Sequence, residues 1–140
     1  MLKNIFNKIS PNGFYFFTTK VIPWLLSISL ILISYGLYLG LFIVPADYQQ
    51  GEAFRIIYVH VPSAWLSLFA YSVLVFCSII SLVWRIKIFE ILSISAAKIG
   101  ALFTFLTLVT GSIWGKPMWG TWWVWDARLT SELILFFIYL

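Results

Sequence analysis

The sequence is short of charge: only 10% of its 140 residues are Asp, Glu, Lys or Arg, whereas 62% are apolar. Soluble domains usually carry about 25% charged residues, and a domain this small exposes much of its surface to water. The composition therefore excludes a soluble globular domain. Disorder is excluded as well, because a disordered chain has little apolar surface to bury. The sequence predicts a polytopic membrane protein.

Cysteine and histidine are also scarce, with one of each. The single Cys77 excludes an internal disulfide and a CxxC metal or redox pair, and its apolar surroundings predict a small buried side chain. The sequence has no nucleophile–base pair, metal cluster or phosphate-binding loop, so we expect a binding protein and not an enzyme. The nine Lys and Arg residues form no basic stripe, which excludes a nucleic-acid partner.

Long uncharged runs, in contrast, are abundant. About 20 apolar residues are needed to cross about 30 Å of hydrocarbon. Three runs are long enough, at about 24–44, 62–84 and 96–114, and a fourth at 129–140 is too short to cross. The predicted fold is an all-α polytopic helical bundle in the lipid bilayer. Residues 1–140 form a single membrane domain with three complete transmembrane helices and an incomplete fourth.

The positions of the basic residues indicate which side of the membrane each loop faces. The tail before the first run and the loop between the second and third runs together hold six Lys or Arg residues, whereas the other two loops hold three. Because Lys and Arg accumulate in cytoplasmic loops, the N-terminus is predicted to be cytoplasmic. The loops 45–61 and 115–128 then share the outer face.

The second outer loop, 115–128, is crowded with tryptophan. Together with Trp114, it holds five of the eight Trp residues within a stretch of twelve. An aromatic belt at the membrane interface is one explanation, but a belt needs only one or two Trp residues at each helix end. The i, i+3, i+4 spacing of Trp119, Trp122 and Trp123 favours a short interfacial helix with all three on one face. Such a wall suits a large, flat, apolar ligand.

The single histidine, His60, stands two residues before Pro62. Proline disfavours helical angles at the preceding residue and is tolerated at a helix start, so we expect the second helix to begin at Pro62. His60 is then expected just before that helix, on the outer face. A lone histidine is most often structural, but beside a tryptophan wall it is also a candidate axial ligand of haem iron.

Charged residues flank the start of the fourth run. Asp126 is predicted to be the N-cap of that helix, and the spacing of Arg128 and Glu132 favours an i, i+4 ion pair. Arg128 and Lys116 are candidates to hold anionic groups, such as haem propionates, beside the tryptophans. Glu132 is a minor functional candidate, because an acidic group in a membrane span normally has a partner.

Residues 119–126 read Trp-Gly-Thr-Trp-Trp-Val-Trp-Asp and fit the pattern WGxxWxWD. Together with the flanking segments 111–118 and 127–133, and with segments 45–51 and 55–62, this run resembles haem exporter protein C of bacterial cytochrome c maturation, the CcmC family. The tryptophan-rich outer loop of these haem-handling proteins is called the WWD loop.

The resemblance extends from about Trp24 to Leu140 and implies a six-span protein of the bacterial inner membrane. In that family the periplasmic WWD loop presents non-covalent haem b for transfer to a periplasmic haem chaperone. An ABC transporter complex and a small single-span subunit are the other implied partners. Two periplasmic histidines are axial ligands in the family, and His60 corresponds to the first. The loop residues expected to contact haem are Trp114, Trp119, Gly120, Trp122, Trp123, Trp125 and Asp126.

The chain stops at Leu140 within the fourth run, so we expect a C-terminally truncated member that lacks spans five and six and the second histidine of the family. Two other functions remain open. One is an assembly subunit of the transporter complex that binds no haem. The other is a small four-span exporter, which is disfavoured because such pumps need a carboxylate deep in the first span and 24–44 has none.

Overall fold

The computed structural model describes residues 11–140. Their α-helices are α1 Pro11–Tyr38, α2 Ile57–Trp84, α3 Lys87–Trp119 and α4 Ala127–Tyr139. No β-strand occurs within 11–140. Two of the basic residues used to predict the orientation, Lys3 and Lys8, lie outside the described residues.

The first three helices are long and apolar enough to cross a membrane. A π-helical turn, Leu39–Ile43, continues α1, and a 3-10 turn, Glu52–Ile56, leads into α2. With these turns added to the first two helices, each of the three helical segments has 33 residues and contains an 18-residue stretch with a mean hydropathy of 1.8 to 2.3. The fourth helix, α4, has only 13 residues. The predicted all-α membrane bundle, with three long helices and a shorter fourth, is confirmed.

The start of α2 corrects one prediction, because the helix begins at Ile57 and Pro62 lies inside it. The preceding 3-10 turn explains the difference. Ile56 already has helical backbone angles, with φ −62° and ψ −21°, so the helix is established before proline is reached. Proline then removes one hydrogen bond near the helix start. His60 therefore lies in the first turn of α2 and not before the helix.

The third helix is longer than the uncharged run that predicted it. The helix begins at Lys87. Its first turns were missed by the search for uncharged runs, because they include charged residues such as Glu90. At its other end α3 continues to Trp119, so the first five residues of the expected loop are helical. Gly120 ends the helix with φ 75°, and its N–H donates to the carbonyl of Lys116 at 3.0 Å. A glycine in this conformation is a common helix terminator.

The central packing unit is the antiparallel pair of α2 and α3, joined by the two-residue turn at Arg85 and Ile86. Small and hydroxyl-bearing side chains let the two backbones approach, as in many membrane bundles. The buried small residues of the pair are Ser63, Ser67, Ala70 and Cys77 of α2, with Ala96, Thr104 and Thr107 of α3. Gly100 of α3 instead makes room for Tyr139 of α4, because a Cβ atom there would lie 2.2 Å from Cζ of that ring. The predicted burial of Cys77 is confirmed.

The first helix packs much less closely. Within the described part of the chain, α1 buries none of its residues, and burial begins at Gly40 in the π-helical turn. A Cβ atom at Gly40 would lie 2.6 Å from Cγ of Tyr58, so a glycine is needed for this approach. Arg55 also donates from Nη1 to the carbonyl of Gly40 at 3.3 Å. Both contacts tie the end of α1 to the start of α2.

The short helix α4 is attached to α2 by polar contacts. Ser67, which is fully buried, donates from Oγ to Oε1 of Glu132 at 2.8 Å, and the hydroxyl of Tyr139 donates to the carbonyl of Ser67 at 2.6 Å. The expected ion pair of Arg128 with Glu132 is therefore wrong. Arg128 pairs with Asp126 instead, while the acid finds a partner on the neighbouring helix.

Candidate functional site

The half-buried side chain of His60 contacts α3 through Thr110. Its Nδ1 atom lies 3.0 Å from Oγ1 of Thr110. That hydroxyl also lies 2.6 Å from the carbonyl of Leu106, a distance at which its one proton must be donated to the carbonyl. We therefore assign Nδ1 as the donor to Thr110. The Nε2 atom then carries the lone pair, and this is the form of imidazole that ligates a metal.

Trp114 forms a wall beside the imidazole. The two rings pack edge to face, with centroids 5.6 Å apart and an angle of 70° between their planes. On its other side Trp114 donates from Nε1 to Oε1 of Gln50 at 3.0 Å. The indole thus links the loop between α1 and α2 to the histidine.

A glycine on α3 gives the imidazole its space. A Cβ atom at Gly111 would lie 3.1 Å from Cε1 of His60, closer than ordinary van der Waals contact. The ring would have to move aside for any larger residue. Gly111 therefore helps to define where the imidazole lies.

These groups surround a cavity of about 110 Å³ where α3 ends and α4 begins. Its lining residues are His60, Gly111, Trp114, Trp119, Asp126, Arg128 and Leu129. A second cavity, of about 150 Å³, lies further along α4 and is lined in part by His60, Arg128 and Glu132. The structure thus brings an imidazole, two tryptophans and a guanidinium to one opening.

Asp126 and Arg128 are arranged by the start of α4. Oδ1 of Asp126 accepts the backbone N–H of Leu129 at 2.8 Å, so the predicted N-cap is confirmed. Its Oδ2 accepts from Nη2 of Arg128 at 2.7 Å. The Leu129 N–H, and then the Arg128 guanidinium, hold the pKa of Asp126 below its usual range. Arg128 also lies 5.9 Å from the ring centroid of Trp119, a cation–π distance.

The tryptophan loop does not form the expected interfacial helix, because Gly120 ends α3 directly after Trp119 and residues 120–126 are not helical. The exposed fractions of Trp119, Trp122 and Trp125 are 58%, 57% and 75%. Trp123 is more enclosed and packs edge to face on Trp125 at 5.4 Å. Within residues 11–140, its Nε1 is the one buried side-chain polar atom without a hydrogen-bond partner.

The two candidate propionate partners occupy different places. Arg128 lines both cavities beside His60. Lys116 instead donates from Nζ to the carbonyl of Gly120 at 3.0 Å and lies 5.9 Å from the ring of Trp122. Lys116 therefore lies in the part of the site formed by the exposed tryptophans, which we call the tryptophan side. Arg128 lines the cavities next to His60, which we call the histidine side.

Sequence reasoning gave no role to Gln50, Thr110 or Gly111. A weak signal existed for the last two, since they continue the series of small and hydroxyl residues along the face of α3 that packs on α2. For Gln50 no signal existed, because it lies in an irregular loop and its partner is 64 residues away.

Comparison with known proteins places the chain in a family. The model of the CcmC family, heme exporter protein C, matches residues 5–140. Heme exporter protein C of Haemophilus influenzae is 55% identical over 130 residues, which cover 93% of this chain and 53% of that protein. Heme exporter protein C of Escherichia coli K12 is 49% identical over 139 residues, which cover 99% and 57% of the two chains.

A plant relative matches as well. The putative cytochrome c biosynthesis ccmC-like mitochondrial protein of Marchantia polymorpha is 60% identical over 109 residues, or 78% of this chain and 48% of the relative. The chain spans about half the length of the curated relatives it matches. The family model covers nearly the whole chain, and it includes every residue of the cavity beside His60. The chain is a multi-pass membrane protein that belongs to the heme exporter protein C family.

Proposed function

We propose that this chain binds haem and presents it for transfer to a haem chaperone during c-type cytochrome maturation, as a binding and transport component and not as an enzyme. The names of its relatives, heme exporter protein C and a cytochrome c biosynthesis protein, support this class of function. The observation that carries the proposal is the hydrogen bonding of His60. Because its Nδ1 proton is donated to Thr110, Nε2 is the ligand atom for haem iron.

The size of the cavity supports presentation at a surface. Ligand pockets usually measure about 300–1,000 Å³, whereas the cavity beside His60 measures about 110 Å³. A porphyrin would therefore lie across the opening, against the exposed rings of Trp119, Trp122 and Trp125. The family's WWD loop, residues 115–128, would hold one face and leave the other accessible to a chaperone.

The binding is proposed to be non-covalent, with haem b as the transported ligand. The single cysteine, Cys77, is buried between α2 and α3, so its thiol is enclosed away from the tryptophan loop. Arg128 is the first candidate to bind a propionate, since it lines the cavity beside His60, and Lys116 is the second.

The proposed location is the bacterial inner membrane, with the N-terminus cytoplasmic and the WWD loop periplasmic. The distribution of Lys and Arg supports this orientation. The start of α2 and the end of α3 lie at the same end of the antiparallel pair, which would bring His60 and the tryptophans to the periplasmic face together. ABC transporter subunits, a small single-span subunit and a periplasmic haem chaperone are the proposed partners.

The test is to express the chain in cells with an intact haem supply, purify it in detergent and record its visible spectrum. The purified chain is expected to show a Soret band, and His60→Ala is expected to lose most of it. Trp65→Ala is the matched control, because Trp65 is 72% exposed on α2 and lies outside the cavity lining. An unchanged haem content in His60→Ala would sink the ligand assignment. A haem-free chain that co-purifies with the transporter would instead support an assembly subunit.

A further inference from the structure

The loop between α1 and α2 is closed on itself by one carboxylate. Oδ1 of Asp47 accepts the backbone N–H groups of Gln49 at 2.9 Å and Gln50 at 2.8 Å. Asp47 and Gly51 also exchange backbone hydrogen bonds of 3.3 and 2.9 Å, and Gly51 supplies a positive φ of 58°. The backbone of Gln50 is therefore held in a defined place.

From this place the side chain of Gln50 reaches the candidate haem site. Its Oε1 accepts the indole N–H of Trp114 at 3.0 Å, across 64 residues of sequence. That N–H is the only polar group of a tryptophan side chain, so this contact fixes the orientation of the indole plane. The same ring packs edge to face on His60 at 5.6 Å.

We propose that Gln50 is a positioning residue of the haem site, which acts through Trp114 to set the tilt of the His60 imidazole. Thr110 determines which nitrogen of His60 carries the proton, and the wall formed by Trp114 determines how the ring is inclined above the cavity. Without the amide oxygen, the indole loses its hydrogen bond and the imidazole loses a fixed neighbour. The consequence for haem rests on the proposed function; the effect on His60 does not.

The test compares Gln50→Ala with Gln49→Ala in the purified chain. Gln49 is the matched control, because it is the neighbouring residue, has the same side chain and is exposed. Gln50→Glu keeps an oxygen acceptor and is the rescue variant. Trp114→Phe shows the effect of removing the indole itself.

The first measurement uses haem-free protein. The sequence has one histidine, so the NMR signal of its Hε1 proton is unambiguous and senses the ring current of the neighbouring indole. We expect this signal to shift in Gln50→Ala in the same direction as in Trp114→Phe. It should stay at the wild-type position in Gln49→Ala and return towards it in Gln50→Glu. Coincident signals in wild type and Gln50→Ala would overturn the proposal, whether or not the chain binds haem.

The second measurement follows haem release to apomyoglobin. Loss of one ordered aromatic contact is worth about 0.5–1.5 kcal/mol, so Gln50→Ala should release haem about two- to tenfold faster. An unchanged release rate would show that Gln50 is a loop-stabilising residue alone and would overturn its role in the site. A wild-type chain that takes up no haem would instead remove the proposed function, and the NMR comparison would still decide the role of Gln50.

Discussion

His60 and Trp114 are each fixed by a hydrogen bond to a neighbouring element, whereas Trp119, Trp122 and Trp125 are all more than half exposed. One side of the site thus has a defined geometry before any ligand arrives. The other side is an apolar surface of the kind that marks a ligand or partner site. This difference is what the proposed function requires, because haem would have to be held through its iron and later released to a partner.

The largest effect on haem affinity should come from substituting Thr110, which holds His60 in place on the histidine side. Thr110→Val keeps the shape of the side chain but removes the oxygen that accepts the Nδ1 proton of His60. Outer-shell partners of metal-binding histidines usually contribute about 10- to 100-fold in affinity, and we expect a loss of that order in haem affinity. Thr110→Ser keeps the hydroxyl and should behave as wild type. Equal haem titrations for the valine and serine variants would contradict the assignment.

Smaller effects are expected on the tryptophan side. Replacing Trp119, Trp122 or Trp125 by Ala removes one exposed ring, worth about 0.5–1.5 kcal/mol of aromatic contact, or about a two- to tenfold faster haem release. The free energy of unfolding should change little, because these rings bury little surface in the chain itself. Trp65→Ala, on the exposed face of α2, is the control for general effects of losing a tryptophan. If all four variants released haem at the same rate, the rings would be an interfacial belt.

The smallest effect concerns Asp126, which joins the two sides. Its pKa in the fold lies below the usual value because Leu129 N–H and Arg128 stabilise the charged form. The ionised Asp126 therefore stabilises the folded state. This stabilisation is fully present above the pKa of Asp126 in the unfolded chain, about 3.9, and is lost as the pH falls through its lower pKa in the folded chain. Asn also caps helices well, so Asp126→Asn removes the charge but keeps the cap.

The measurement is the melting temperature of the two proteins in detergent between pH 2 and 7. Wild type should melt slightly higher than Asp126→Asn near pH 7, and the two should converge in acid. A difference that persists unchanged at the lowest pH would show that the charge of Asp126 does not contribute to stability.

Sequence predicted the helices well, because spanning length and hydropathy are local properties. The number of long helices and the N-cap at Asp126 required no knowledge of packing. The helix boundaries were less predictable. Pro62 is accommodated inside α2 because an upstream turn starts the helix. Gly120 ends α3 directly after Trp119, so the following tryptophans are not part of a helix.

The candidate site was predictable only in part. Five candidate site residues were predicted from residue type, position and family resemblance, and the structure brings all five to one cavity: His60, Trp114, Trp119, Asp126 and Arg128. Their supporting contacts were not, because Gln50 with Trp114 and Ser67 with Glu132 join residues more than 60 positions apart. Such pairs depend on how α2, α3 and α4 pack, and no local pattern encodes them.

The central claim, that Nε2 of His60 is the ligand for haem iron, is tested most directly by chemical rescue. His60→Gly removes the imidazole and leaves a space that added imidazole can enter. The account predicts that imidazole restores the Soret band of His60→Gly in a saturable manner and has no such effect on Trp65→Ala. A Soret band in His60→Gly that equals the wild-type band before imidazole is added would contradict it.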